Sequence, residues 1–279
     1  MTPRLQVQAL SVGHRGRPPL IEGLTLRAEA GEFIALIGRN GIGKTTLLRT
    51  LAGLLPAAGG SAALDGADLH RMAPAERARQ VAVVVTDRLA VPGMRVRDLV
   101  ATGRHPHTGW WGQRTADDER RIDEALVMAD AMPLSDRLVN TLSDGERQRT
   151  ALARALAQGP KMLLLDEITA FLDLPSRVSV MSRLRRHARA SGCLVVLSSH
   201  DLELCLQLAD RLWLLAGDRQ LADGTADELI NRGHIGRAFD QDDVQFSAQR
   251  RQFVLATASF DANLAGDRHD VIRTESVST

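Results

Sequence analysis

The segment Gly38-Arg-Asn-Gly-Ile-Gly-Lys-Thr45 constrains the fold of this chain more than any other feature. It fits the pattern G-x-x-x-x-G-K-[ST], follows the apolar run Phe33–Ile37 and precedes a stretch with helical periodicity. In such a turn, backbone N–H groups surround phosphate oxygens, and the N-terminus of the following helix favours negative charge. The segment therefore predicts a phosphate-binding loop, hereafter the phosphate loop, made by Gly38, Arg39, Asn40, Gly41, Ile42, Gly43, Lys44, Thr45 and Thr46.

A glycine-rich turn that matches the pattern by chance is the alternative interpretation. Lysine is scarce in this chain, since only Lys44 and Lys161 are lysines among the 35 Lys and Arg residues. A chance match is then expected in roughly a few chains in a thousand. Nucleotide binding is the better hypothesis, with Lys44 bridging the β- and γ-phosphates and the Thr45 hydroxyl ligating Mg²⁺.

The composition is that of an ordinary globular protein, with 44% hydrophobic and 25% charged residues. A formal net charge of +1 argues against a dedicated nucleic-acid binder, which carries a basic excess. Cys193 and Cys205 lie among apolar residues and are too few for a disulfide scaffold, so we expect reduced thiols in the core. No apolar stretch resembles a signal peptide or a membrane span, which predicts a cytoplasmic protein.

Short apolar runs alternate with amphipathic stretches, which is typical of an α/β protein with helices flanking a parallel sheet. Before these runs, Leu5–Leu10 and Leu24–Ala28 alternate as the strands of an antiparallel element do. The predicted buried strands are Phe33–Ile37, Val81–Val85, Met162–Leu165, Leu194–Ser198 and Leu212–Leu215.

The strand pattern is interrupted between residues 87 and 141 and becomes loose after about residue 236. In the first of these regions, Thr115 and Asp118 predict the capped start of a helix. In the second, Val244–Phe246 and Gln252–Leu255 predict a hairpin. We therefore predict a nucleotide-binding core at 1–86 and 150–235, an inserted helical subdomain at 87–149, and a partly flexible C-terminal extension at 236–279.

Two carboxylates follow the apolar run Met162–Leu165. Alone, such a pair is more often a solvated turn, but a phosphate loop in the same chain favours a role in catalysis. Asp166 stands at the C-terminal edge of its strand, where α/β proteins hold their ligands, and would complete the Mg²⁺ site. Glu167 would accept a proton from an attacking water molecule.

The segment Leu142–Glu146 predicts the start of a helix, because Ser143 and Glu146 fit a capping box. The same N-terminus can face an anion, here the γ-phosphate of an ATP held by another subunit. His200 follows the strand Leu194–Ser198. A lone histidine there is usually a loop residue, but beside the other motifs it suits a sensor of the γ-phosphate. Asp173 is a candidate for a contact between subunits.

In this order and spacing, the motifs resemble those of the ATP-binding cassette (ABC) ATPases over residues 3–235. The resemblance implies a P-loop NTPase (RecA-like) core, ATP and Mg²⁺ as ligands, and hydrolysis of ATP. It also implies a head-to-tail homodimer in which each ATP lies between one phosphate loop and the opposing signature segment. The implied site residues are Lys44, Glu167 and His200 for catalysis, Thr45 and Asp166 for the metal, and Ser143, Gly145, Glu146 and Asp173 at the dimer contact.

A finer resemblance lies in Val96–Trp110, which is similar to the V-x-[DE]-L-V-x-x-G-R-x-P stretch of cassettes serving iron-siderophore, haem and cobalamin importers. It implies a subunit held at the inner face of the cell membrane by a polytopic permease, which a substrate-binding protein supplies. Trp110 or Trp111 would anchor a permease loop, or would lie in an exposed loop without a partner. A soluble assembly or translation factor and a regulatory nucleotide sensor are the alternatives for the whole chain.

Three positions depart from the pattern of this family. Thr86-Asp87 stands where the family has a glutamine that touches Mg²⁺, so Thr86 or Asp87 would act through a bridging water. Asp144 in the signature segment would be repelled by phosphate unless it turns to solvent. His14 stands where an aromatic residue usually stacks on adenine, and an imidazole stacks less strongly than a larger ring.

Overall fold

Strands and helices alternate along most of the chain, of which the computed structural model describes residues 3–13, 16–85, 92–109, 112–217, 220–241 and 243–255. The strands are β1 Leu5–Val12, β2 Ile21–Ala28, β3 Phe33–Gly38, β4 Gly59–Leu64, β5 Ala67–Asp68, β6 Val81–Val84, β7 Met162–Asp166, β8 Leu194–Ser198, β9 Arg211–Leu215, β10 Leu221–Gly224, β11 Val244–Ser247 and β12 Gln252–Leu255. The α-helices are α1 Lys44–Leu51, α2 Pro74–Gln80, α3 Val96–Ala101, α4 Ala116–Met128, α5 Asp144–Ala157, α6 Leu174–Ser191, α7 Leu202–Leu208, α8 Ala226–Asn231 and α9 His234–Phe239.

A six-stranded sheet in the order β10-β9-β3-β8-β7-β6 forms the centre of the fold. The five strands from β9 to β6 are parallel, and β10 pairs antiparallel at one edge. Because parallel strands end at the same edge of a sheet, the carboxyl ends of β3, β7 and β8 meet there. That edge carries the phosphate loop, the acidic pair and His200.

The central sheet is covered on both faces, which is why its strands are almost uniformly apolar. On β3, Ile34 and Leu36 pack into the cluster that includes α1 and the four-stranded antiparallel sheet β2-β1-β4-β5. Phe33 and Ala35 point the other way, into the cluster that includes the helices between β6 and β7. The alternation follows from the period of two residues in a strand.

The helices between β6 and β7 pack through apolar faces such as that of Ile122 and Leu126 on α4. Capping boxes start two of them, at Thr115 for α4 and at Ser143 for α5. These helices are joined to the segment after α3 by an ion pair in which Arg104 Nε lies 2.8 Å from Asp118 Oδ1.

The chain after β10 packs against the core as far as Leu255. Phe253 of β12 makes edge-to-face contacts with Phe239 at 6.1 Å and with Phe246 at 5.6 Å between ring centroids. The side chain of Asp240 accepts a hydrogen bond of 2.7 Å from the backbone N–H of Phe246. The hairpin β11–β12 is thereby fastened to the end of α9.

The predicted fold class, the five buried strands, the hairpin and both capping boxes are confirmed. Cys193 and Cys205 are buried and unpaired, as expected, and burial raises the pKa of each thiol to about 12. The division into domains stays a prediction, and α5 runs across the expected boundary between residues 149 and 150. His14, Thr86, Asp87, Trp110 and Trp111 lie outside the described residues.

Candidate nucleotide-binding site

The phosphate loop connects β3 to α1 with its glycines in conformations that other residues rarely adopt. Gly38 has φ 156° and Gly43 has φ 113°. A Cβ atom at Gly38 would lie 2.8 Å from the carbonyl oxygen of Leu215 on the neighbouring strand, so no larger residue fits there. The loop therefore keeps its backbone free of side-chain obstruction where it leaves the sheet.

The ammonium group of Lys44 is held inside the phosphate loop. The residue is 5% exposed, and Nζ donates to the carbonyl oxygens of Gly38 at 2.9 Å and of Arg39 at 3.3 Å. Burial lowers the pKa of Lys44, and the nearby charges of Glu167 and Asp166 oppose that effect. The loop carbonyls carry only partial negative charge and so neutralise the ammonium group incompletely. An anionic phosphate chain would provide the full opposite charge, so a cation placed in this way is suited to bind phosphates.

Asp166 is buried at the end of β7, with 1% exposure, and each of its carboxylate oxygens accepts a hydrogen bond from a hydroxyl. Thr45 Oγ1 donates to Oδ2 at 2.7 Å, and Ser198 Oγ donates to Oδ1 at 2.6 Å. A hydroxyl beside a carboxylate is a hard oxygen pair of the kind Mg²⁺ prefers. Among the described residues, no group of three or more His, Cys, Asp and Glu side chains could hold a metal ion.

Glu167 lies next to both Lys44 and His200. Its Oε1 is 2.6 Å from His200 Nε2 and 3.9 Å from Lys44 Nζ. The backbone of Glu167 has φ 52°, a left-handed conformation that is uncommon for a residue with a side chain. The turn directs the Glu167 carboxylate along the sheet edge towards the phosphate loop, with its side chain 27% exposed.

The signature segment starts α5 with the predicted capping box. Ser143 Oγ accepts from the N–H of Glu146 at 3.3 Å, and Glu146 Oε2 accepts from the N–H of Ser143 at 2.8 Å. The hydrogen bond from the Ser143 backbone is the main reason that the pKa of Glu146 is lowered. Asp144 accepts a hydrogen bond of 2.7 Å from the side chain of Arg147, and its own side chain is 49% exposed.

Gly145 and Asp173 lie where the signature segment meets the start of α6. A Cβ at Gly145 would be 3.3 Å from the carbonyl oxygen of Phe171. Asp173 caps α6 by accepting from the N–H of Ser176 at 2.9 Å. Hydrogen bonds from the side chain and then from the backbone of Ser176 lower the pKa of Asp173. In the described part of the chain, the side-chain hydrogen bonds of Ser143, Glu146 and Asp173 run to their own helix starts and to Arg137, and none runs to the phosphate loop.

The structure therefore brings the phosphate loop, Asp166, Glu167 and His200 together, while the roles given to these residues stay predictions. Two contacts were not anticipated. One is the hydroxyl of Ser198 on Asp166. The other is the side chain of Arg39, which donates to the carbonyl oxygens of Ala238 at 2.9 Å and Asp240 at 3.2 Å and so ties the phosphate loop to the end of α9. No local sequence pattern signals either contact, because the partners are distant in the chain.

A groove of about 570 Å³, hereafter the side groove, lies between the edge of the central sheet, the segment that follows α3, and the helices α2 and α5. Leu54, Val83 and Val85 line it on one side, and Gly103 and Ala151 line it on the other. Leu54 is 57% exposed. Polar side chains such as Arg77 and Arg154 line the side groove together with the apolar ones, a combination that suits contact with another protein.

Sheet topology, phosphate loop and the carboxylate-bearing edge together define a P-loop nucleotide-binding cassette. The family model described as "ABC transporter" matches residues 21–170. The chain belongs to this family, and as one of its ATP-binding cassettes it is an ATPase.

Two relatives and one solved structure illustrate the similarity. The achromobactin transport ATP-binding protein CbrD of Dickeya dadantii is 34% identical over 84% of this chain and 86% of its own length. The hemin import ATP-binding protein HmuV of Streptomyces coelicolor is 38% identical over 82% of this chain and 80% of its own. The dimeric structure of a bacterial ABC transporter cassette matches with a TM-score of 0.69 and 22% identity over 80% and 98% of the two chains, which supports the fold.

Within the described ranges, no helix combines the length and the apolarity that crossing a membrane requires.

Proposed function

We propose that this chain is the ATP-hydrolysing subunit of an importer for an iron complex such as a ferric siderophore. The ferric enterobactin transport ATP-binding protein FepC of Escherichia coli, 34% identical over 85% of this chain, supports this proposal, as does the Val96–Arg104 stretch of the sequence. Uptake of haem or cobalamin is the second candidate, which the 38% identity to a hemin import protein favours. In each case the chain binds ATP and a membrane permease rather than the transported compound or nucleic acid.

The observation that carries the catalytic proposal is the position of Glu167 at the mouth of the phosphate loop, with Oε1 2.6 Å from His200 Nε2. Glu167 acts as the general base that accepts the proton of the attacking water. His200 Nε2 holds that carboxylate before ATP binds and donates its hydrogen bond to the γ-phosphate once ATP is bound. Lys44 leaves its loop carbonyls and binds the β- and γ-phosphates, so that charge on the transferring group is stabilised.

Thr45 and Asp166 would hold Mg²⁺, since their oxygens already lie 2.7 Å apart in a buried position. When bound, the ion neutralises charge on the phosphates. The remaining phosphate-loop residues bind the phosphates through their backbone N–H groups. The proposal has two further parts. His14 stacks on adenine, and Thr86 or Asp87 contacts the metal through a water molecule.

The second half of the site is provided by another copy of the chain, which binds head to tail. Its Ser143, Gly145 and Glu146 would face the γ-phosphate, and Asp173 would lie at the contact between the two copies. The capped N-terminus of α5 suits this role, because backbone N–H groups and the helix dipole favour an anion there.

Substitution Glu167→Gln tests the catalytic proposal. It keeps the shape of the side chain but removes the base, so we expect ATP binding to persist while kcat falls at least about a hundredfold. The variant should accumulate as an ATP-bound dimer in size-exclusion chromatography. Glu203→Gln, at an exposed position of the otherwise largely buried helix α7, is the control and should retain wild-type turnover. Near-normal turnover by Glu167→Gln would remove Glu167 from the role of base.

The side groove is the proposed docking site for a cytoplasmic loop of the permease. A bulky charge at its rim should block docking, so Leu54→Arg is expected to lose co-purification with a polytopic subunit from detergent-solubilised membranes. Val127→Arg, at a position on α4 that is 60% exposed, is the matched control and should co-purify normally. If ribosomes or a soluble scaffold co-purify with the wild-type chain, the result would instead favour a non-transport ATPase. If the chain binds ATP tightly but shows no turnover in the presence of its partner, the result would favour a nucleotide sensor.

A further inference from the structure

Ser198, the last residue of β8, contacts both acidic residues at the end of β7. Its side chain is fully buried, with 0% exposure. Ser198 Oγ donates to Asp166 Oδ1 at 2.6 Å and accepts from the backbone N–H of Glu167 at 3.1 Å. The same N–H also points to the Ser198 carbonyl oxygen at 3.2 Å. One hydroxyl therefore joins the side chain of one carboxylate residue to the backbone of the next.

The pairing of the two strands produces this contact. Asp166 and Ser198 are direct neighbours in the parallel register of β7 and β8. Because Asp166 is also buried, water does not compete for Oδ1, and loss of the donor would leave a carboxylate oxygen without a partner. A short hydrogen bond to a carboxylate is stronger than one between neutral groups. The hydroxyl thereby restricts Asp166 to the orientation in which Oδ2 faces Thr45.

The contact to the N–H of Glu167 acts on a residue whose backbone is in the left-handed region, at φ 52°. Such a conformation persists only when surrounding contacts hold it. Ser198 provides two acceptors for this one N–H, its carbonyl and its hydroxyl. The direction of the Glu167 side chain therefore depends on Ser198 as well.

We infer that Ser198 is a positioning residue that fixes the metal ligand Asp166 and the base Glu167 relative to each other. The inference rests on the roles proposed above for these two carboxylates. Removal of the hydroxyl frees Asp166 to rotate and weakens the hold on the Glu167 backbone. The expected consequences are weaker Mg²⁺ binding beside the nucleotide and slower hydrolysis, with little effect on nucleotide binding in the absence of metal.

The adjacent residue Ser199 offers a matched control. It is also buried, at 2% exposure, but its hydroxyl accepts from the N–H of Asp201 and contacts Cys205 rather than either carboxylate. Ser198→Ala and Ser199→Ala remove the same hydroxyl from neighbouring buried sites. The conservative variant Ser198→Thr keeps a hydroxyl at the first site. Thermal unfolding of the nucleotide-free proteins establishes that each variant folds.

Three measurements test the inference: kcat and KM for ATP, the Mg²⁺ concentration that half-saturates binding of a fluorescent non-hydrolysable ATP analogue, and binding of that analogue with EDTA. For Ser198→Ala we expect kcat to fall about tenfold and the half-saturating Mg²⁺ concentration to rise about fivefold, because one charge-assisted hydrogen bond is lost. Binding with EDTA should match the wild type. Ser198→Thr should recover most of both effects.

Equal kcat and equal Mg²⁺ dependence for Ser198→Ala and Ser199→Ala would overturn the inference. So would a loss in Ser198→Ala that appears equally with EDTA, because a general disturbance of the site would then explain it. If the wild-type protein itself binds the analogue without any dependence on Mg²⁺, the proposed role of Asp166 fails, and this result is distinct from a failure of Ser198.

Discussion

The buried ion pair between Arg104 and Asp118 should make the stability of this protein depend on pH in a specific way. Both residues are 5% exposed. The backbone N–H of Thr115 and the guanidinium of Arg104 lower the pKa of Asp118 from 3.8 to about 2. A difference of one pKa unit between the folded and unfolded states corresponds to about 1.4 kcal/mol of folding free energy. The lowered pKa of Asp118 therefore contributes roughly 2 to 3 kcal/mol to the stability of the fold.

The sign follows from proton binding. The unfolded chain binds the Asp118 proton more tightly than the folded one, so the contribution is complete above about pH 5 and is lost as the pH falls towards 2. Asp118→Asn should thus reduce the free energy of unfolding by about 2 to 3 kcal/mol at pH 7 and by less at pH 3.5. Urea unfolding of both proteins between these pH values measures the difference.

Comparison with an exposed pair controls for the other carboxylates, which titrate in the same range. Asp130 pairs with Arg149 at 2.8 Å, but its side chain is 55% exposed. Asp130→Asn should cost under about 0.5 kcal/mol at any pH, because water screens surface pairs. A deficit for Asp118→Asn that stays below this value, or that does not shrink on acidification, would refute the reasoning.

Two further substitutions test how the phosphate loop and the helices are held. Arg39→Ala removes the hydrogen bonds to the C-terminal end of α9. In steady-state kinetics, KM for ATP should rise about threefold to tenfold, with a smaller change in kcat. An unchanged KM would mean that the phosphate loop needs no support from α9. Gly103→Ala places a Cβ 2.3 Å from the carbonyl oxygen of Arg154, so the segment after α3 must move away from α5. Thermal unfolding should show a loss of about 2 kcal/mol or more, whereas full stability would show that the segment shifts freely.

Local patterns were sufficient to predict the strands and to select the residues that the structure brings together at the phosphate loop. The phosphate loop and the two capping boxes each span a few consecutive residues, so a short sequence pattern is enough to predict each of them. The meeting of this loop with Glu167 and His200 followed from a rule for parallel sheets rather than from any pairwise signal.

Contacts between distant residues could not be predicted in this way. Ser198 reaches Asp166 across 32 positions because of a particular strand register, and Arg39 reaches Ala238 across 199 positions because α9 packs beside the phosphate loop. A serine at the end of an apolar strand and an arginine in a turn are also common without any role. The side groove could not be predicted from the sequence either, since it depends on how the helices pack against the sheet.

The surface beside the signature segment gives a physical reason for the proposed pairing of two copies. Phe171 and Leu174 flank Asp173, and each is 60% exposed. Covering such side chains with a second copy removes apolar area from water, at about 25 cal/mol per Å². The same movement would bring Ser143 to the phosphate loop of the partner, where a bound γ-phosphate bridges the two surfaces. Since a ligand that binds only the paired form stabilises it, ATP should promote pairing, and loss of the γ-phosphate should reverse it.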